Sequence, residues 1–301
     1  MKHIRILTIA ALLMGAACSK STAPAQVTPN VVPENAEVKK IATGYTFTEG
    51  VTEAADGRIF FSDIPNNRIH IFDPKTNQTT VHRENTGGAN GLMFNKEGTL
   101  FACEGKAKRV TKQVGSEVTV IADKFEGKAL NAPNDLALDN AGGVYFTDPG
   151  YGVEPPDLNV EAVYYVSAAG EVTRAISDLK RPNGIVFSPD FKVLYVADPG
   201  DKKIFAYDVT SAGKPQNKRQ FTKFGADGMT VDELGNLYTT AKGKVTIVKP
   251  DGKVADVVTV PESPTNVEFG GKDGKTLFIT ARTSLYAVEL NVRGADKQKR
   301  P

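Results

Sequence analysis

Six polar residues in this chain each stand at the head of a similar short stretch: Glu49, Asn90, Asn134, Asn183, Asp227 and Asn266. Two are carboxylates and four are carboxamides, and no His or Cys stands among them. Such an oxygen-only set suits a hard cation such as Ca²⁺ and does not suit Zn²⁺. Glu49 and Asp227 together would neutralise a divalent ion, and the Asn oxygens would fill out its shell while leaving room for water or substrate. Asn-Gly and Asp-Gly are also ordinary turn dipeptides. Here, however, a better turn follows downstream in four copies, at Ala55-Asp56-Gly57, Lys96-Glu97-Gly98, Asn140-Ala141-Gly142 and Glu233-Leu234-Gly235. Those turns already join the strands of a hairpin, so the upstream polar residues need another role.

The stretches that carry them are repeats. Each runs from the polar residue through apolar positions to a turn and then into a second β run, as in Asn134-DLALDNAGGVYFTD and Asn183-GIVFSPDFKVLYVAD. Successive copies begin 41, 44, 49, 44 and 39 residues apart. A period of this size with several short strands per unit is the signature of a propeller blade. Further strand-like runs lie between the copies, including Arg68-IHIFD, Ala162-VYYVS, Lys203-IFAYDV and Lys244-VTIV, and no amphipathic helix of three or more turns follows residue 17. The expected fold is therefore all-β, a six-bladed β-propeller of four-stranded antiparallel blades over residues 37–293. Residues 37–46 are expected to add a strand to the last blade, closing the ring so that no sheet edge is left unpaired. In such a ring the innermost strands line a central channel, and the six polar residues would meet near one end of it.

The remainder of the chain bounds the function. A composition of 40% hydrophobic and 24% charged residues is that of a globular protein and excludes a multi-span membrane protein. With 37 Lys and Arg against 35 Asp and Glu there is no basic stripe for nucleic acid. Lys2 and Arg5 supply that small excess, and both belong to a leader. Residues 1–17 read as a signal peptide, with an apolar run from Ile6 to Met14 and small residues Gly15-Ala16-Ala17 before Cys18. Cys18 in this setting resembles the acylated cysteine of a bacterial lipobox, although Gly15 stands where Leu is usual; the alternative is ordinary cleavage after Ala17. The expectation is an exported, periplasmic or outer-membrane lipoprotein that meets the membrane only through a lipid on Cys18. Residues 18–36 would be its flexible tether and residues 294–301 a frayed tail.

At this point the chain resembles the SMP-30/gluconolactonase/luciferin-regenerating-enzyme-like family. The resemblance spans about residues 40–290 and rests on Thr48-Glu49-Gly50, Pro133-Asn134-Asp135, Pro182-Asn183-Gly184 and Ala226-Asp227-Gly228-Met229. Gly87-Gly88-Ala89-Asn90-Gly91 and Phe146-Thr147-Asp148-Pro149-Gly150-Tyr151-Gly152 extend it. It implies Glu49, Asn134, Asn183 and Asp227 as ligands of Ca²⁺ or another divalent cation, and Asp227 as the general acid/base. The implied reaction is hydrolysis of a small lactone or related ester. Asn90 and Asn266 are expected to orient substrate or second-shell water, and Tyr151 either to form part of the pocket rim or to pack over a strand end. One departure stands out. Sugar-lactonase members often carry Arg two residues before the third-blade Asn, where this chain has Ala132. Two other readings share the fold: a phosphotriesterase-like hydrolase using the same site, and a binding propeller in which calcium is only structural. His70 is expected to be a surface or packing residue, His82 to approach the pocket without a partner, and Cys103 to be a small buried thiol. The basic segment Lys106–Lys112 is expected to be a solvated strand edge.

Overall fold

The computed structural model describes Met1 and residues 30–152 and 158–295, so Cys18 and residues 296–301 lie outside the described part. The chain folds as a six-bladed β-propeller of four-stranded antiparallel sheets. The innermost strands of blades 1 to 6 are Thr48–Glu53, Ala89–Phe94, Leu136–Leu138, Ile185–Phe187, Met229–Val231 and Pro264–Gly270. In blades 1 to 5 each following strand pairs with the one before it, so sequence order is radial order. Blade 6 departs from this rule. Its outermost strand is Lys39–Thr43, paired antiparallel with Ser284–Glu289 through Lys39↔Ala287 and Thr43↔Ser284. The ring therefore closes where the repeat pattern requires it.

Burial at successive positions of the inner and middle strands gives every blade two apolar faces, and the core is accordingly divided. Six buried clusters form, one at each contact between neighbouring blades. Val51, Ile59, Phe61 and Phe72 of blade 1 pack on Phe278 and Leu285 of blade 6. Between blades 3 and 4, Tyr145 and Tyr165 meet Ile185, Leu194 and Val196. The inner strands are buried on both faces, which is why they read as short apolar runs without alternation.

Four expectations are corrected at the edges of the fold. Residues 30–36, assigned to a flexible tether, are docked on blade 6: Val31, Val32 and Ala36 pack on its cluster and Asn291 N donates to Val31 O at 3.0 Å. Their apolar side chains supply the surface to cover that a tether would lack. At the other end Ala295 N donates to Val231 O at 3.0 Å and Gly294 bridges Asp232, so the ordered propeller runs past residue 293. The basic segment is no edge: Arg109–Val114 is a third strand, with Val110 and Thr111 buried and Arg109 paired with the buried Glu104 at 2.7 Å. His82 does not approach the channel; it lies within 3.1 Å of Gln113 Nε2 and edge-on to Phe60. His70 is a packing residue, buried between Tyr45 and Phe61, and Cys103 is fully buried.

Candidate active site

The six polar residues occupy the first turn of backbone at the same end of the six inner strands, where neighbouring blades touch. Gly91 N donates to Asn134 O at 2.8 Å, Gly184 N to Asp227 O at 2.8 Å and Gly228 N to Thr265 O at 2.7 Å. Asp135 accepts from the Ile185 amide, and Thr265 Oγ1 donates to Thr48 O at 2.7 Å. Ser62 Oγ donates to Asn90 O at 2.6 Å. This chain of contacts runs round the axis through all six blades.

It also explains the glycines. A Cβ on Gly91 would lie 2.6 Å from Asp135 Oδ1, and one on Gly184 or Gly228 would overlap the Asp227 carbonyl or the Asn266 side chain. Gly50 packs as tightly on the Asn90 carbonyl and in addition has φ of +56°. The dipeptides are thus points of close approach between blades and not hairpin turns.

A second repeated device holds the backbone just upstream. Asp148, at the end of the second strand of blade 3, accepts from the amides of Asn131 and Ala132, both at 2.8 Å. Asp198 in blade 4 accepts from Lys180 and Arg181 at 2.9 and 3.0 Å. Asp63 in blade 1 accepts from Phe47 N at 3.1 Å. Each carboxylate fixes the residues immediately before Asn134, Asn183 or Glu49. Blade 5 has Ala241 at that place and lacks the clamp; there the preceding Thr240 hydroxyl accepts from Gly228 N at 2.8 Å, just after Asp227, as Thr147 in blade 3 accepts from Asp135 N at 3.1 Å.

The side chains converge in two groups. Asn183 Nδ2 donates to Asp227 Oδ1 at 2.8 Å and lies 3.4 Å from the Tyr151 hydroxyl. Asn266 Nδ2 donates to Glu49 Oε2 at 3.2 Å, where Gly50 N also donates at 2.9 Å. The two groups sense each other. Burial pushes Glu49 well above the usual carboxylate range, and the neighbouring charge of Asp227 pushes it further. Burial likewise raises Asp227 to about 6, against the lowering effect of the Asn183 hydrogen bond. The carboxamides of Asn90 and Asn134 make no hydrogen bond among the described residues, although their backbones are part of the inter-blade ring. Tyr151 is 38% exposed, at the rim.

Asp135 was not anticipated as part of this centre. It is buried beneath the same mouth and raised to about 7, first by burial and then by the charges of Asp227 and Glu268. Its signal was the one copy of the motif with Asp in place of Gly after the polar residue. A cavity of about 870 Å³ lies at the other end of the blades, lined by hairpin-turn residues such as Ala55, Asp56, Gly57 and Lys96. None of the six polar residues reaches it.

The donor set fits a divalent cation on its chemistry. The charge of Asp227 raises the pKa of the buried Glu49, and no Lys, Arg or His forms an ion pair with either among the described residues. A positive charge is what such a pair lacks. No three His, Cys, Asp or Glu side chains converge among the described residues, so the carboxamides of Asn134 and Asn183 would have to complete the shell.

Residues 47–283 match the model of the SMP-30/Gluconolactonase/LRE-like region, which is most of the chain. The chain belongs to this family. It is 29% identical over 292 residues to the gluconolactonase of Zymomonas mobilis, a match spanning 85% of this chain and 82% of that protein. A crystal structure solved as a candidate gluconolactonase superposes with a TM-score of 0.83 at 32% identity, over 89% of this chain and 96% of the other. A gluconolactonase structure from Xanthomonas campestris superposes at 0.82 with 26% identity, over 87% and 91% of the two chains.

Proposed function

We propose that this family member is a metal-assisted hydrolase that opens small lactones. The observation that carries the reading is the state of Asp227: a half-buried carboxylate with one oxygen tied to Asn183 and the other without a hydrogen bond among the described residues. A carboxylate held in this way can accept a proton from an attacking water in a fixed direction. In the metal-free protein burial raises its pKa to about 6, which makes it a stronger proton acceptor than a carboxylate in open water. The names of the relatives support a lactone as the ester.

Glu49, Asn134, Asn183 and Asp227 would hold the cation, which when bound supplies Lewis-acid polarisation of the ring carbonyl. Asn266 orients Glu49 through its amide hydrogen bond. Asn90 has an uncommitted carboxamide at the mouth and would bind substrate or water. Tyr151 would border the bound ring. The leader and Cys18 extend the reading to an exported, lipid-held enzyme.

The test is a lactone panel on purified protein, with calcium and with chelator, beside an Asp227→Asn variant. Turnover that chelator removes and that Asp227→Asn lowers by about 10²–10⁴-fold is expected. Calcium binding without turnover of any lactone would leave a binding propeller. Turnover of phosphotriesters alone would favour the other hydrolase. Undiminished activity in Asp227→Asn would remove its assigned role.

A further inference from the structure

Strand direction gives the two ends of the ring different surroundings. Each inner strand runs from the mouth to the opposite end, the base, where the first hairpin turn of its blade lies. The chain enters the ring at the base. Lys39 pairs with Ala287 near the base end of Ser284–Glu289. Just beyond that strand, Asn291 Nδ2 donates to Asn30 O at 2.8 Å and Asn291 N to Val31 O at 3.0 Å. Asn30 therefore stands at the end of the molecule away from Asp227. Cys18 and residues 19–29 lie outside the described part, and twelve peptide links join Cys18 to Asn30. Twelve links span at most about 40 Å, whatever their conformation. A lipid on Cys18 would hold the ring from its base.

The base has a surface suited to such a neighbour. Its cavity of about 870 Å³ opens between the turns of blades 1, 2 and 6 and is bordered by Lys75, Lys96 and Lys272. The carboxylates beside them are already engaged. Glu53 Oε1 accepts from Gly271 N at 2.6 Å, Asp56 Oδ2 from Arg58 Nε at 2.7 Å and Asp73 Oδ1 from Lys75 N at 2.8 Å. The amines are less committed. Among the described residues Lys75 and Lys272 form no salt bridge, Lys75 acting on Asp56 only through its charge, and Lys96 reaches Glu97 at 3.8 Å. On the flanking blades 2 and 5, Val114, Leu234 and Val254 are 60%, 48% and 53% exposed at base turns. Amines and apolar side chains on one face suit a surface of anionic headgroups over hydrocarbon.

We propose that the base of the propeller docks on a bilayer of anionic phospholipid, with Lys75, Lys96 and Lys272 against the headgroup phosphates and the mouth turned to the aqueous side. The assignment rests on the lipid-held reading and adds an orientation to it. Three lysines beside an anionic surface favour that orientation on the order of 10²-fold. That is enough to orient a chain the lipid already holds and too little to hold it without one.

The test places one fluorophore at the base, on Ser116→Cys, or at the mouth, on Ala107→Cys. Both positions are exposed, and Cys103 is fully buried and stays unlabelled. Each full-length protein, purified with its lipid, is bound to vesicles of phosphatidylcholine and phosphatidylglycerol that carry a nitroxide quencher on the headgroup. Quenching at the base should exceed that at the mouth several-fold. Lys75→Gln, Lys96→Gln and Lys272→Gln together should bring the two values close, as should vesicles of phosphatidylcholine alone. Equal quenching at both positions on the anionic vesicles, stronger quenching at the mouth, or a ratio that the three substitutions leave unmoved would overturn the docking. Protein that carries no lipid would overturn the lipid-held reading alone. The same comparison then runs on a Cys18→Ser chain held to these vesicles by an amino-terminal histidine tag and nickel-chelating lipid.

Discussion

At the scale of single residues the proposed chemistry falls to Asp227 and Glu49, and their pKa values give it a sign. Both are raised in the fold above their unfolded values, Asp227 to about 6. In the metal-free protein the folded state therefore holds these protons more tightly than the unfolded chain does. Their contribution to stability is full below about pH 4 and is lost as the pH rises through about 6. A bound cation takes the deprotonated forms and reverses the trend. Thermal scans should accordingly show little calcium effect at pH 5 and a clear rise in Tm at pH 7.5. At a hundredfold excess over Kd the gain is about 2.7 kcal/mol. A calcium effect equal at both pH values would separate the cation from these carboxylates. The residue types of this centre were legible because Glu, Asp and Asn recur in one place of each copy. Which Asn would hold which acid was not, because pairing across the ring joins residues 44 and 217 positions apart.

At the scale of elements, the inner strands are held by two repeated devices whose failure can be read separately. Gly184→Ala places a methyl group against the Asp227 carbonyl and must push blades 4 and 5 apart. Overpacking of this kind costs about 1–3 kcal/mol, and because it moves Asp227 it should lower kcat more than a surface change of equal cost. Chemical denaturation and lactone kinetics on one preparation would show it. Asp198→Ala leaves the Lys180 and Arg181 amides without their acceptor, at a cost of about 1–3 kcal/mol. The clamp was visible as the acidic residue ending FFSD, VYFTD and LYVAD, yet its target was not, since a carboxylate at a strand end is equally at home in solvent. Gly50, Gly91, Gly184 and Gly228 show the reverse case. The dipeptide is conspicuous in sequence, but local statistics favour a turn, and only the approach of a neighbouring blade reveals that bulk is what must be absent.

The whole molecule is a ring, and the pattern of repeats carried that conclusion, since six copies with a leftover strand before the first admit few other arrangements. The ends were harder to read. Residues 30–36 look like linker by their Pro and polar content, yet Val31 and Val32 have blade 6 to cover. Deleting residues 37–43 should strip the outer edge of blade 6, lower Tm by at least about 5 °C and make the protein associate on size-exclusion chromatography. Cys18→Ser should move the protein from the membrane to the soluble fraction, and an unchanged distribution would rule out acylation there.

Closure also orders events in time. Lys39 pairs with Ala287, so the first strand of the ring finds its partner only after almost the whole chain has been made. Each of blades 1 to 5 can form from contiguous sequence, but the seam must wait for a contact of very high sequence separation, the kind that slows folding. Until then two sheet edges stand open together. A chain handed unfolded across a membrane would therefore cross before its ring could lock, and the seam acts as a delay as well as a fastening.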